Sequence, residues 1–382
     1  MEAYITDISS FLPNAPVGND QMEEILGMVN QLPSRTRKII LRNNKIDTRY
    51  YAIDPATGKI THTNAQLAAE AIRKLNPHDN FSINEIKCLC CGTSSPDQLM
   101  PGHASMVHGE LGSNPCEIVS TAGICLSGLT SLKYAVMNVA LGLTENAVAC
   151  GSENSSTFMR TQFCGAVDKK KAEELPKQPQ LGFDADFLRW MLSDGAGALF
   201  VAGKKPADKL ALKVDWIEIL SFANLFETCM YAGANKNEDG SLTGWREYAS
   251  LQESLNTGTF LVKQDVKLLN QEIMPASTHR ALAKLIEKYN LKPEEIDWFL
   301  PHYSSDYFRK ILYQHLEKID FTIPYEKWFT NLYEMGNTGA ASIFIIMEGL
   351  FKSGKLKKGD KLLCYIPESG RFSIGYVMLT VV

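Results

Sequence analysis

The chain repeats itself. Residues 63–95 read TNAQLAAEAIRKLNPHDNFSINEIKCLCCGTSS, and residues 278–305 read THRALAKLIEKYNLKPEEIDWFLPHYSS. Both segments predict an amphipathic helix, a short polar link and a buried strand that ends in a Ser-Ser turn. Glu85-Ile86 and Glu295-Ile296 lie 210 positions apart. A second match follows. The helix expected from Cys125 (CLSGLTSLKYAVMNVALGL) leads to the strand Ala147–Cys150, and the helix expected from Asn337 (NTGAASIFIIMEGLFKSG) leads to Lys361–Ile366. Cys125 and Asn337 are 212 apart. A period of this length excludes a short solenoid and predicts two similar α/β halves.

The strand-like runs are continuously apolar, as expected for strands covered on both faces. Residues 1–203 are read as the first half and 204–382 as the second. Two insertions break the symmetry. One spans about 155–192 and carries Lys169-Lys170-Lys171. The other spans about 224–258 and is rich in Asn, Gly, Ser and Thr. Insertions of this size are commonly lids or oligomer contacts.

With 382 residues, 45% of them hydrophobic, there is ample material for two packed halves. A formal net charge of −4 gives nucleic-acid binding no electrostatic support. The best local basic patch is Arg35-Thr36-Arg37-Lys38 with Arg42, for which a solvated helix face is the plainer expectation. No apolar run approaches a membrane span, and the N-terminus lacks the pattern of a signal peptide. Nine cysteines, mostly in apolar runs, predict reduced thiols and a cytoplasmic protein.

Three residues carry candidate chemistry. Cys125 stands among small residues at an expected helix start, where unpaired N–H groups lower a thiol pKa and favour the thiolate nucleophile. A buried structural cysteine is the alternative. His302 follows the strand Trp298–Pro301, at the kind of strand end where α/β sites collect. A hydrogen-bonded core histidine is equally expected there. Asn337 supplies two amide donors and no titratable proton, although asparagine also serves as a plain helix cap. The duplication favours the chemical reading. If the halves pack about a pseudo-twofold axis, Cys125 and Asn337 are equivalent positions facing one crevice, with His302 at the repeat position of Gly92 beside it. No metal site is expected: Cys88-Leu89-Cys90-Cys91 alternates within a strand, no second ligand pair has zinc spacing, and His103 and His108 are a poor helical chelate.

Taken together, these residues resemble the thiolase-fold ketosynthases, most closely the β-ketoacyl-(acyl carrier protein) synthase III family. The resemblance covers nearly the whole chain. It rests on Cys125, on Pro301-His302, on Gly336-Asn337-Thr338 followed by Ala340-Ala341-Ser342, and on Asp194-Gly195-Ala196-Gly197-Ala198. It implies two duplicated α/β halves packed as an α-β-α-β-α sandwich, and a homodimer. It also implies a decarboxylating Claisen condensation with the acyl group on Cys125, joined to a malonyl-type thioester held by His302 and Asn337. No bound cofactor is implied; an acyl carrier protein phosphopantetheine thioester, or a coenzyme A thioester, is the substrate. Arg42 and Arg309 fall near the family's substrate-binding positions, and Met100 matches the residue inserted into the partner's acyl tunnel.

The sequence also departs from the family pattern. Arg309 falls two positions late relative to His302. The tryptophan that stacks on adenine has no counterpart near Arg35–Arg42, which favours a carrier protein as donor. A glycine-rich loop is replaced by Ile366-Pro367-Glu368-Ser369-Gly370-Arg371-Phe372. Glu368 is a candidate accessory proton-transfer group, as needed by relatives that condense and cyclise two fatty acyl chains to a dialkylresorcinol or cyclohexanedione precursor; an ion pair with Arg371 is the plainer expectation. A non-condensing acyltransferase, a thioesterase or a carrier-protein-binding partner is the remaining alternative. Retention of Cys125, His302 and Asn337 together argues against it.

Overall fold

In the computed structural model, residues 2–28, 34, 36–163 and 188–382 are described. Arg35 and Lys169-Lys170-Lys171 lie outside them. The first half contributes β1 (Tyr4–Phe11), β2 (Cys88–Thr93), β3 (Glu117–Ala122), β4 (Asn146–Glu153) and β5 (Gly195–Ala202). The second contributes β6 (Leu212–Ser221), β7 (Trp298–Pro301), β8 (Lys361–Glu368) and β9 (Ser373–Val381). Among the described residues these nine strands run in the order β7-β8-β9-β6-β1-β5-β4-β2-β3. Within this sheet the strands of the two halves pair only at Tyr4↔Lys213 and Ile5↔Leu212, a seam of two residue pairs.

Either side of that seam the topology repeats. β1/β5 and β5/β4 are antiparallel and β4/β2 parallel; β6/β9 and β9/β8 are antiparallel and β8/β7 parallel. The first half adds β3, parallel to β2. The second half has only the bridge Phe299↔Trp328 at that place.

The main helices are α1 (Asn64–Arg73), α2 (His103–Leu111), α3 (Leu126–Ala140), α4 (Val266–Met274), α5 (Ala283–Tyr289), α6 (Tyr307–Glu317) and α7 (Ser342–Phe351). Thr63 starts α1 with a capping box closed by Gln66, which satisfies two otherwise orphaned donors. Between α4 and α5 the helix widens into a π-helical stretch, Pro275–Leu282. Pro275 has no N–H to give, and two buried tyrosines reach this stretch from the sheet. Tyr365 donates to Ser277 Oγ (2.8 Å) and Tyr376 to the Ser277 carbonyl (3.0 Å).

Side-chain alternation explains the layers. Cys88 and Cys90 of β2, Ala147 and Ala149 of β4, and Leu362, Cys364 and Ile366 of β8 enter a central core with α3 and α7. Leu89, Cys91, Val148 and Cys150 point the other way, into the core beneath α1 and α2. Leu363 and Tyr365 do the same beneath α4, α5 and α6. Three cores separated by two strand layers are the expected α-β-α-β-α sandwich. They also account for Cys88, Cys90 and Cys91 as buried strand residues.

The repeat is real, but its register changes along the chain. The 3-10 turns Ile83–Glu85 and Pro293–Glu295 keep the offset of 210, whereas the eight-residue strands β4 and β8 are 215 apart and α3 and α7 begin 216 apart. Contacts agree with this last register to within two residues, since Leu126 and Leu129 bracket Gly128, which lies 216 residues before Phe344. A Cβ added at Gly197 in β5 would strike Phe344 of α7, and one at its counterpart Gly375 in β9 would strike Leu126 and Leu129 of α3. The counterpart of Cys125 is therefore Ala341, not Asn337. Asn337 lies four residues upstream, before a 3-10 turn (Gly339–Ala341) that α3 lacks.

Candidate active site

Cys125, His302 and Asn337 line one cavity of about 970 Å³. They reach it by three different constructions. Cys125 is the N-cap residue of α3 and follows Gly123, whose φ of +149° suits only glycine. His302 continues β7, its N–H donating to the Tyr365 carbonyl (2.8 Å). Asn337 is strung beside Leu192: its N–H donates to Met191 O (3.0 Å), and its carbonyl accepts from Ser193 N (2.8 Å). The Asn337 Oδ1 accepts from Gly339 N (3.0 Å) and Ser342 Oγ (3.4 Å). With the oxygen anchored, the amide NH₂ is the end left to donate to a ligand.

The helix start does not favour the thiolate as the sequence suggests. Glu368, the last residue of β8, reaches across, and its Oε2 accepts from Ile124 N (2.9 Å) and Leu126 N (3.0 Å). A carboxylate thus takes two of the donors expected to stabilise Cys125. Cys125 is partly accessible because the cavity opens onto it, but it sits deep in protein. Burial first, then the nearby Glu368 and Glu153, push its thiol well above the ordinary range. Cys125 rests as a thiol.

The expected Glu368–Arg371 ion pair is absent among the described residues, since Arg371 Nε donates to Phe226 O (2.8 Å). Burial raises the Glu368 carboxyl, opposed by the N–H groups of Ile124 and Leu126. Burial also lowers His302 to about 4, so its imidazole is neutral at physiological pH and able to donate or accept.

Sequence reading missed Glu153. It ends β4, is buried and lines the cavity. Its Oε1 accepts from Ser94 N (3.0 Å) and Ala340 N (3.2 Å), and its Oε2 from Ser94 Oγ (2.6 Å) and Ser95 Oγ (3.4 Å). Burial lifts it to about 7 despite these bonds. Its signal was the repeat: Glu153 and Glu368 close matched strands 215 residues apart.

The remaining candidates lie elsewhere. Arg309 stacks over Tyr325, 4.6 Å from its centroid, in a separate cleft with Lys45 and Asp306. Arg42 is exposed on the short helix Arg37–Asn44. Met100 is 79% exposed and does not reach the cavity within one chain. Among the described residues no group of three or more His, Cys, Asp or Glu is arranged to hold a metal ion, and no helix is long and apolar enough to cross a membrane.

Residues 286–377 match the family model of the 3-oxoacyl-(acyl carrier protein) synthase III C-terminal region. The chain is 25% identical over 389 aligned positions to β-ketoacyl-(acyl carrier protein) synthase III of Neisseria gonorrhoeae, covering 99% of this chain and 98% of the relative. Its fold matches OleA of Xanthomonas campestris, with a TM-score of 0.74 at 19% identity over 100% of this chain and 98% of that one. It also matches AbyA1, a tetronic acid condensing enzyme, with a TM-score of 0.73 at 18% identity over 99% of each chain. The duplicated sandwich is the thiolase fold that these structures share, and the full-length relatives indicate a condensing enzyme of the acyltransferase kind, similar to β-ketoacyl-(acyl carrier protein) synthase III.

Proposed function

We propose that Cys125 carries the acyl group of a decarboxylating Claisen condensation, with His302 and Asn337 stabilising the enolate. The observation that supports this most is the single cavity where all three side chains meet. In the first half-reaction the Cys125 thiol gives up its proton, for which neutral His302 is a suitable acceptor. The sulfur attacks the acyl thioester carbonyl, and the carrier thiol leaves with a proton. In the second, a malonyl-type thioester loses CO₂, and the released electron pair moves onto its carbonyl oxygen. His302 and the Asn337 NH₂ are donors suited to that oxygen, which is where preorganised hydrogen bonds count most. The enolate carbon then attacks the acyl carbonyl, and the Cys125 sulfur departs.

The walls support a long acyl chain. Leu188, Met191, Leu251, Leu255, Phe260 and Ile273 are among the apolar lining residues. Each methylene buried there contributes about 0.8 kcal/mol, so affinity rises with chain length until the pocket is full. Several lining residues come from the second insertion, which supports a chain-selecting role for it. The donor we favour is an acyl carrier protein, and the assembly a homodimer in which Met100 meets the partner's tunnel. The volume also leaves room for a second chain, which favours the cyclising condensation as the alternative.

Incubation with acyl thioesters of graded length should add one acyl mass to the intact protein and none to Cys125→Ala. No adduct on the wild-type protein across the series would refute the proposal. Mass spectrometry of products after malonyl or β-ketoacyl thioester is added separates linear from cyclic outcomes.

A further inference from the structure

Two buried glutamates cross the molecule in opposite directions. Glu368 closes the second half's β8 and bonds the residues flanking Cys125 at the start of the first half's α3. Glu153 closes the first half's β4 and bonds Ala340 at the start of the second half's α7. The contacts obey the 216-residue register of the central helices, because Ile124 and Ala340 are counterparts. So are Gly123 and Gly339, and each abuts the other half's glutamate. A Cβ at Gly123 would come 3.3 Å from Glu368 Oε2, and one at Gly339 2.8 Å from Glu153 Cγ. Both glycines have positive φ, +149° and +53°.

The two glutamates do different work because different residues sit beside their bonds. The N–H groups held by Glu368 flank Cys125 on both sides, so the carboxylate fixes the peptide planes that aim the sulfur. Ala340, held by Glu153, adjoins Gly339, whose N–H anchors Asn337 Oδ1. Glu153 therefore acts on the Asn337 amide through one intervening turn. Ser94 and Ser95 supply its remaining bonds, and they line the same cavity. A carboxylate bonded to several N–H or O–H donors is held more firmly than a neutral group would be.

We propose that Glu153 and Glu368 are a crossed pair of positioning residues, Glu368 fixing Cys125 for acyl transfer and Glu153 fixing Asn337 for enolate stabilisation. This rests on the roles proposed above for Cys125 and Asn337. It goes further in assigning each half-reaction to a carboxylate borrowed from the opposite half of the chain.

The test separates the half-reactions. Acylation of Cys125 is followed by intact-protein mass in a single turnover, and CO₂ release from malonyl thioester is measured on protein already acylated. Glu368→Asp, which withdraws the carboxylate by one methylene, should slow acylation about tenfold or more and decarboxylation much less; Glu153→Asp should do the reverse. Gln at either site keeps an acceptor oxygen but not the charge and should restore the affected step only in part, the remaining loss falling on that same step. Folding is checked by thermal melting, and the Gln variants carry the test if an Asp variant does not fold: Glu368→Gln and Glu153→Gln must then differ in which step slows more. Equal loss of both steps, or no loss in any variant, overturns the crossed assignment. A wild-type protein that is never acylated at Cys125 overturns the functional reading itself, a separate outcome.

Discussion

The two halves share a strand order and a central helix, yet they present different chemistry at the same crevice. In the first half the helix begins directly after Cys125, so the side chain sits at the α3 N-terminus. In the second, a 3-10 turn is added before α7, and the candidate residue Asn337 is displaced four residues upstream onto a strand-like segment beside Leu192. The first half also keeps a full outer strand, β3, where the second has one bridge. A duplicated scaffold thus need not duplicate its site. The fold supplies two helix starts facing each other, and a few residues of insertion decide whether a start offers a sulfur or an amide.

The sharpest way to test that comparison is to remove the second half's donor alone. Asn337→Ala should leave acyl-Cys125 formation nearly intact while reducing CO₂ release about a hundredfold, the usual cost of losing one donor to a developing oxyanion. Equal loss of both steps would show that the halves do not divide the reaction.

A smaller effect concerns stability. Burial lifts the Glu153 carboxyl to about 7 in the folded protein, against its ordinary value of 4.5 in the unfolded chain. The folded state therefore binds the proton more tightly. The stability this provides is fully present below about pH 4.5 and is lost as pH rises through about 7, a difference on the order of 3 kcal/mol. Glu153→Gln cannot titrate, so its melting temperature should gain on the wild type between pH 4.5 and 8. A constant difference would mean that the carboxyl is not held protonated by burial.

The smallest expected effect is on thiol reactivity. Glu368→Gln keeps the bonding geometry but removes the charge nearest Cys125, so alkylation of Cys125 at neutral pH should become severalfold faster. Glu153→Gln should accelerate it less, because Glu153 contributes less to raising the thiol. The opposite order would reverse the two carboxylates' relation to the sulfur.

Much of this was legible in the sequence, for identifiable reasons. The matched polar links, which fold as 3-10 turns, and strands β2 and β7 followed from local sequence pattern, which does not depend on distant residues. Cys125, His302 and Asn337 stood out because Cys125 lies among small residues two positions after Gly123, His302 follows Pro301 and Asn337 follows Gly336. Arg42, Arg309 and Met100 were placed by resemblance alone, and within one chain they do not line the cavity. Glu153 was overlooked because a glutamate ending an apolar strand has no local signature of burial.

The sequence by itself determined that there are two α/β halves, that a helix begins just after Cys125 and that a histidine follows a strand end, but it set the second helix start at Asn337, five residues before α7 begins at Ser342. Only the tertiary structure decided who receives the N–H groups at those helix starts. Glu368 meets Ile124 and Leu126 across more than 240 residues of chain, and Glu153 meets Ala340 across 187. Periodicity fixes which face of an element is buried, but not which distant carboxylate arrives there. Packing made Cys125 a resting thiol rather than the thiolate its helix start suggested.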